Sequence, residues 1–181
     1  MSDTQKMDPV AILKELEELC RSSAAGQQRK ADDSAEWSGI TFRIGNDYLV
    51  SQLGEMVEIL EYPVLSRMPL TRSWVCGVAN VRGSLLPVID LGAYLNGQPV
   101  TVTGRTRVLV INQHGLYTGL VVDVVLGIRH FTDDEYTSSD PGAAEYLQPY
   151  LQNGFLHDDR IWNIFDLQAL AQAPEFLLAA V

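Results

Sequence analysis

Hydrophobic and polar positions along this chain change their period near Trp37. Before that point Ile12, Leu13, Leu16, Leu19 and Cys20 recur at helical spacing, opposite Lys14, Glu15, Glu17, Glu18 and Arg21. The pattern predicts an amphipathic helix, with Asp8 able to cap it and Pro9 suited to its first position. Its apolar stripe must dock on something, either the body of its own chain or a partner. Residues 22–36, SSAAGQQRKADDSAE, offer few large apolar groups and read as a polar linker or a frayed continuation of the helix.

From Trp37 the alternation is strand-like. Ile40, Phe42 and Ile44 alternate with Thr41 and Arg43, Gly45-Asn46-Asp47 turns the chain, and Tyr48 to Leu53 resumes an extended pattern, so a hairpin is predicted. Met56 to Leu60 is a further short segment before Pro63. Strands are expected at Arg107 to Ile111, Leu116 to Val125, Gly127 to Phe131, Asn153 to Leu156 and Arg160 to Phe165, with a turn at Asn112 to Gly115. A short helix is expected near Ala143 to Leu151, after a turn-rich acidic run with Asp133, Asp134, Glu135, Asp140 and Pro141. Asp166 can cap a last helix through Ala171, ahead of Pro174 and an apolar tail from Phe176 to Val181. Many short strands with few helices predict a mainly β fold of small closed barrels, which leave fewer open edges than flat sheets.

The stretch Gly77 to Leu91, GVANVRGSLLPVIDL, carries the most information. Apolar residues flank Arg82-Gly83-Ser84 on both sides, and Gly83 can supply the positive φ of a tight reversal, so a second hairpin is predicted with Arg82 at its exposed tip. Pro87 cannot donate to a ladder, which places the second strand at an edge or a bulge. Asp90 is positioned to cap one or two helical turns that Asn96-Gly97 would end.

Composition narrows the function. With 181 residues, 46% of them apolar, one medium domain preceded by an extension is expected, as residues 1–36 and 37–181. The formal charge of −10 opposes both nucleic acid and anionic membrane surfaces. A nucleic-acid-binding small barrel, the alternative of a different class, would need a basic face studded with aromatic residues. Cys20 and Cys76 lack metal-type spacing and read as reduced structural thiols. No signal pattern or apolar run of about 20 residues occurs, so a cytoplasmic protein without membrane insertion is expected.

Catalytic chemistry finds little foothold. His114, His130 and His157 stand 16 and 27 residues apart with no partner at ligand spacing, and no nucleophile elbow or phosphate-cradling loop is present. Asp90 and Asp123 could form an acid and base pair, yet each adjoins a strand end where carboxylates accept backbone hydrogen bonds. No catalytic residue, metal or cofactor is expected.

Asn80-Val81-Arg82-Gly83 followed by Leu86-Pro87-Val88-Ile89-Asp90-Leu91 resembles the signature segment of the CheW-like adaptors of bacterial chemotaxis. The run Thr41 to Ile44, the pair Glu58-Ile59, and Gly119 to Asp123 with Val125 and Leu126 fall in the same order and spacing. The resemblance implies two intertwined, five-stranded SH3-like barrels sharing a hydrophobic centre. It also implies an adaptor joining a chemoreceptor's cytoplasmic tip to the regulatory domain of a CheA-like histidine kinase, recruited to membrane-associated arrays. The N-terminal extension, the wording Gly77 to Gly83 and the closing Ala169-Leu170-Ala171-Gln172 look most like the PilI-type branch, which serves type IV pili and twitching motility. A coupling protein of a flagellar array is the alternative. A CheV-type protein, with its receiver domain of about a hundred further residues, is not expected.

The partner-binding positions carried over are Met56, Glu58, Gly77, Asn80, Arg82 and Gly83. Met56 serves equally as a filler of an irregular core. Glu58 alternates with apolar Val57 and Ile59 and is expected to face solvent, as a contact or as a solubilising charge. Gly77 and Gly83 read first as backbone requirements. Arg82 is the sharpest candidate, able to fork onto a partner's carboxylate, the rival being a clamp onto an acid or carbonyl of its own chain.

Overall fold

The computed structural model describes residues 36–139 and 141–178, which lie in the unit Ala35–Val181. The expected N-terminal helix, its linker up to residue 35, Cys20 and Asp140 fall outside the described residues, and Glu36 opens the first strand. The described chain forms two sheets. Sheet one has the order β8 (Val124–Thr132), β1 (Glu36–Ile44), β2 (Asp47–Gln52), β11 (Arg160–Phe165), β10 (Leu151–His157), β9 (Tyr136–Thr137), and sheet two the order β3 (Met56–Glu61), β6 (Arg107–Gln113), β7 (Leu116–Val122), β5 (Ser84–Asp90), β4 (Val75–Val81).

The chain enters sheet one through β1 (Glu36–Ile44) and β2 (Asp47–Gln52). It builds all of sheet two with β3 (Met56–Glu61), β4 (Val75–Val81), β5 (Ser84–Asp90), β6 (Arg107–Gln113) and β7 (Leu116–Val122). It then returns to sheet one as β8 (Val124–Thr132), β9 (Tyr136–Thr137), β10 (Leu151–His157) and β11 (Arg160–Phe165). The predicted strands at Leu116–Val125 and Gly127–Phe131 meet instead at Asp123, where the chain crosses between sheets. There the Asp123 N–H donates to the Arg43 carbonyl, and its carboxylate accepts from the Gly45 N–H at 2.6 Å.

Tight reversals pin the register. Arg82-Gly83, His114-Gly115 and Asp158-Asp159 each carry two successive positive φ angles, the form that matches the twist of paired strands. Ser84 already belongs to β5, so the first of these reversals is one residue shorter than the sequence suggested.

Pro87 stands in a strand with neighbours on both sides, not at the edge that is one of its two expected places; the other, a bulge, lies close by as a register shift between Val75 and Gly77 of β4. The reason is local. Val78, its partner on β4, uses both backbone groups on Ser66, so the Val78–Pro87 pair exchanges no bonds and the Pro87 nitrogen faces β7. The ladder to β7 begins only at Val88, and no donor is missed.

Packing follows the sheets. Val50, Phe131, Phe155 and Trp162 fill sheet one, while Ala79, Leu86, Val88, Val108, Val110 and Val121 fill sheet two. A larger central cluster draws on both, including Phe42, Leu49, Ile89, Leu109, Leu120 and Phe165. Short helices cover it. Helix α1 (Leu91–Asn96) is capped by Asp90 and ended by Gly97, and α2 (Leu167–Gln172) is capped by Asp166. Pro174 does not merely end this region but opens α3 (Pro174–Leu177), whose Phe176 is buried against Trp74 and Tyr94. The helix expected at Ala143–Leu151 is a 3-10 helix over Glu145–Tyr150, where the ring of Pro149 would clash with the Glu145 carbonyl of an α-helix.

Candidate functional site

One rim of sheet two gathers most of the sequence-predicted positions. Strand β3 is the sheet's edge, and its faces alternate regularly from buried Met56, so that Met56, Glu58 and Leu60 share the inner face while Val57 and Ile59 share the outer one. Met56 is buried in the central cluster. Glu58 turns inward and leaves Val57, 58% exposed, and Ile59 pointing to solvent. The expectation that Glu58 faces water while its apolar neighbours face the core is therefore corrected: Glu58 shares the face of Met56 and Leu60, where Arg82 meets it.

Glu58 is held by Arg82. The guanidinium Nη2 lies 2.9 Å from Oε2, joining the hairpin tip to the opposite edge of the sheet; the Arg82 side chain is 81% exposed and that of Glu58 17%. The structure thus supplies the intramolecular partner that was the rival explanation for Arg82. An ion pair so open to water contributes only ~0–1 kcal/mol to folding, and its remaining donors stay available to a partner.

Asn80 and Gly83 build the tip. The Asn80 Oδ1 accepts from the Gly83 N–H at 2.9 Å, fixing the reversal that raises Arg82. Gly77 lies away from the tip, at φ 140°, where an added Cβ would fall under 3.0 Å from the Ser66 carbonyl oxygen. Its duty is to let the loop before β4 run close. Leu85, 73% exposed beside Ser84, adds an apolar group to this rim. It could have been found from the sequence, because adjacent Leu85 and Leu86 cannot both face one core; Val57 and Ile59 gave no such signal.

The remaining titratable groups have structural duties. Asp90 is buried and accepts from the N–H groups of Ala93 and Val100, each at 2.9 Å. Burial pushes its carboxyl above the usual value, although these hydrogen bonds oppose the shift. Asp123 is committed to Gly45. His114 forms a turn and contacts Gln172, His130 contacts Ser38, and His157 lies 2.5 Å from Glu135. Burial likewise raises the Cys76 thiol, as does the nearby Asp90. Among the described residues no group of three or more His, Cys, Asp or Glu could hold a metal ion, and no helix is long and apolar enough to cross a membrane. The rim offers exposed apolar groups, a strand edge and a guanidinium, which equip it to hold another protein.

The family model for the CheW-like domain matches residues 38–175. Protein PilI of Pseudomonas aeruginosa is 38% identical over 181 residues, covering 100% of both chains. A probable chemotaxis protein CheW of Rhizobium etli is 32% identical over 75% of this chain and 88% of its own, and protein FrzA of Myxococcus xanthus is 35% identical over 61% and 71%. The crystal structure of the scaffolding protein TtCheW from Thermoanaerobacter tengcongensis superposes with a TM-score of 0.67 at 18% identity, over 77% of this chain and 95% of that one. The chain belongs to the CheW-like domain family.

Proposed function

We propose that this protein is a non-catalytic adaptor that couples methyl-accepting chemoreceptors to a CheA-like histidine kinase in a chemosensory system controlling type IV pili and twitching motility. The observation that carries this reading is the likeness to PilI along the whole chain, including the residues ahead of the CheW-like domain. Residues 1–36 form an extension to the domain at 37–181, and the protein works in the cytoplasm at receptor arrays.

The rim of sheet two supplies the means. Val57, Ile59 and Leu85 present apolar area beside the open edge of β3, where edge-to-edge pairing with the kinase's regulatory domain adds backbone hydrogen bonds. Arg82 adds a forked, charge-assisted contact at the same place, while Met56 and Gly77 act from behind by fixing β3 and the loop before β4. A stable interface needs about 800 Å² from each partner, and weaker contacts gain strength through repetition in an array.

Reconstitution tests the reading. Full-length protein mixed with kinase and receptor fragments should bring them into one sedimenting complex and alter kinase autophosphorylation. Arg82→Glu should weaken capture while retaining the folded circular-dichroism signal. Failure of the wild-type protein to co-sediment with either fragment refutes the adaptor role.

A further inference from the structure

Between Glu61 and Asp90 the chain holds no Asp or Glu, although its formal charge is −10; Arg67, Arg72 and Arg82 are the charged residues of that stretch. Two of them lie on the loop joining β3 to β4, residues 62–74. Its ends are firmly held. Leu65 packs on the core of sheet two, Trp74 packs on the central cluster, and Ser66 exchanges two backbone hydrogen bonds with Val78, each 2.9 Å. Around Ser66 the loop turns outward, leaving Val64 94%, Met68 42% and Leu70 79% exposed.

Leu70 adopts φ +57°, a conformation unfavourable for a side chain bearing a Cβ, and the Thr71 hydroxyl braces the bend by donating to the Met68 carbonyl. The fold therefore holds a bulky apolar side chain in water on a strained, anchored backbone. Arg67, Met68, Arg72, Ser73, Val75 and Cys76 line a hollow of about 310 Å³ beside it. Among the described residues neither Arg67 nor Arg72 is held in an ion pair.

We propose that this loop docks an acidic amphipathic helix of a partner protein. The helix's carboxylates meet Arg67 and Arg72, and its apolar stripe covers Val64, Met68 and Leu70. Charge selects an acidic partner, since the loop is positive on a negative molecule. Geometry selects a helix over a strand, because Ser66 already occupies the edge of β4 at Val78 and the loop displays side chains rather than free backbone. The assignment rests on the adaptor reading in one respect: the partner that presents a helix there is the receptor tip.

Surface plasmon resonance with full-length protein over immobilised receptor-tip fragment, and separately over the kinase regulatory domain, tests it. Arg67→Glu with Arg72→Glu, and Leu70→Gly alone, should each weaken tip capture by about tenfold or more and leave kinase-domain capture within about twofold. Glycine accepts φ +57°, so Leu70→Gly should melt no lower than the wild-type protein, separating a lost anchor from a lost fold. Raising salt from about 50 to about 250 mM should weaken the wild-type protein more than the charge-reversed variant. Unchanged tip capture by both variants overturns the loop assignment and leaves the adaptor reading standing, whereas no tip capture by the wild-type protein overturns both. Loss confined to the kinase domain, or altered self-association in sedimentation velocity with tip capture intact, gives the loop another occupant and equally overturns the proposal.

Discussion

Replacing Gly77 by alanine should destabilise this protein far more than the same change at Gly83, although both glycines lie on one hairpin at positive φ. At Gly83 an added Cβ meets nothing within 4 Å, so the cost is torsional, about 1–2 kcal/mol. At Gly77 the torsional cost at φ 140° is about 1–3 kcal/mol, and the methyl group also collides with the Ser66 carbonyl. That carbonyl accepts from Val78, and the Ser66 N–H donates back; pushing the loop away breaks both bonds, at about 1 kcal/mol each. The sum is about 3–5 kcal/mol, a large part of the 5–15 kcal/mol typical of a folded domain. Thermal unfolding followed by circular dichroism should show Gly77→Ala melting roughly 10 °C below the wild-type protein, and Gly83→Ala only about 2–6 °C below it. Equal melting points would refute the argument that Gly77 exists to admit the loop. Any binding defect of Gly77→Ala would then mark a contact rather than a misplaced loop.

Other substitutions separate folding from docking. Arg82→Ala and Glu58→Ala should each shift the melting temperature by less than about 4 °C, since the Arg82 end of their ion pair is largely exposed; a larger drop in thermal melts would make the pair a structural clamp. Asp166→Ala should cost about 1 kcal/mol in urea denaturation, as an ordinary loss of a helix cap, because its carboxylate holds one backbone N–H, that of Ala169. Asp90→Ala should cost about 3 kcal/mol or more, because two N–H groups lose their acceptor in a buried place. Burial opposes ionisation of Glu135, but the Thr132 N–H and His157 outweigh it and hold its carboxyl below the usual 4.5. That stabilisation is complete above the unfolded value and is lost as pH falls through the folded one. The wild-type protein should therefore lose stability over Glu135→Gln as pH drops below about 4.5, measured as urea midpoints across the acid range.

Much of the fold was legible because its signals are local. The hairpins at Gly45-Asn46 and Arg82-Gly83, the caps Asp90 and Asp166, and the alternation of Ile40, Phe42 and Ile44 each depend on residues within a few positions. What escaped depends on residues far apart in the chain. Pro87 is tolerated between two neighbours only because Ser66 takes up Val78, and Glu58 finds its counter-charge on the inner face only because Arg82, far along the chain, stands across from it. The candidate site was legible as a set of residues but not as a surface. Its predicted members include buried Met56 and sterically confined Gly77, while exposed Val57, Ile59 and Leu85 were passed over, since period counting assigns apolar side chains to the core.

The two sheets share a building unit. In sheet two the hairpin β4–β5 runs into Asp90 and α1; in sheet one the hairpin β10–β11 runs into Asp166 and α2. Asp90-Leu91-Gly92-Ala93 and Asp166-Leu167-Gln168-Ala169 repeat the same cap, each carboxylate accepting from the alanine N–H. Each capping residue also donates its own N–H to an aromatic residue's carbonyl at the end of the preceding loop, Trp74 in one and Tyr150 in the other. In each sheet the second strand of the hairpin pairs in parallel with a neighbour, β5 with β7 and β11 with β2. The loops that lead into these matching hairpins are charged in opposite senses. Residues 62–74 carry Arg67 and Arg72 without an acid, while residues 133–150 carry Asp133, Asp134, Glu135, Asp140 and Glu145 without Lys or Arg. Backbone and capping are thus held alike in both halves, and the freedom to differ is left to the loops. A duplicated frame with opposite loop charges presents two unlike surfaces from one core, and the charge of either can change without altering the packing that supports the other.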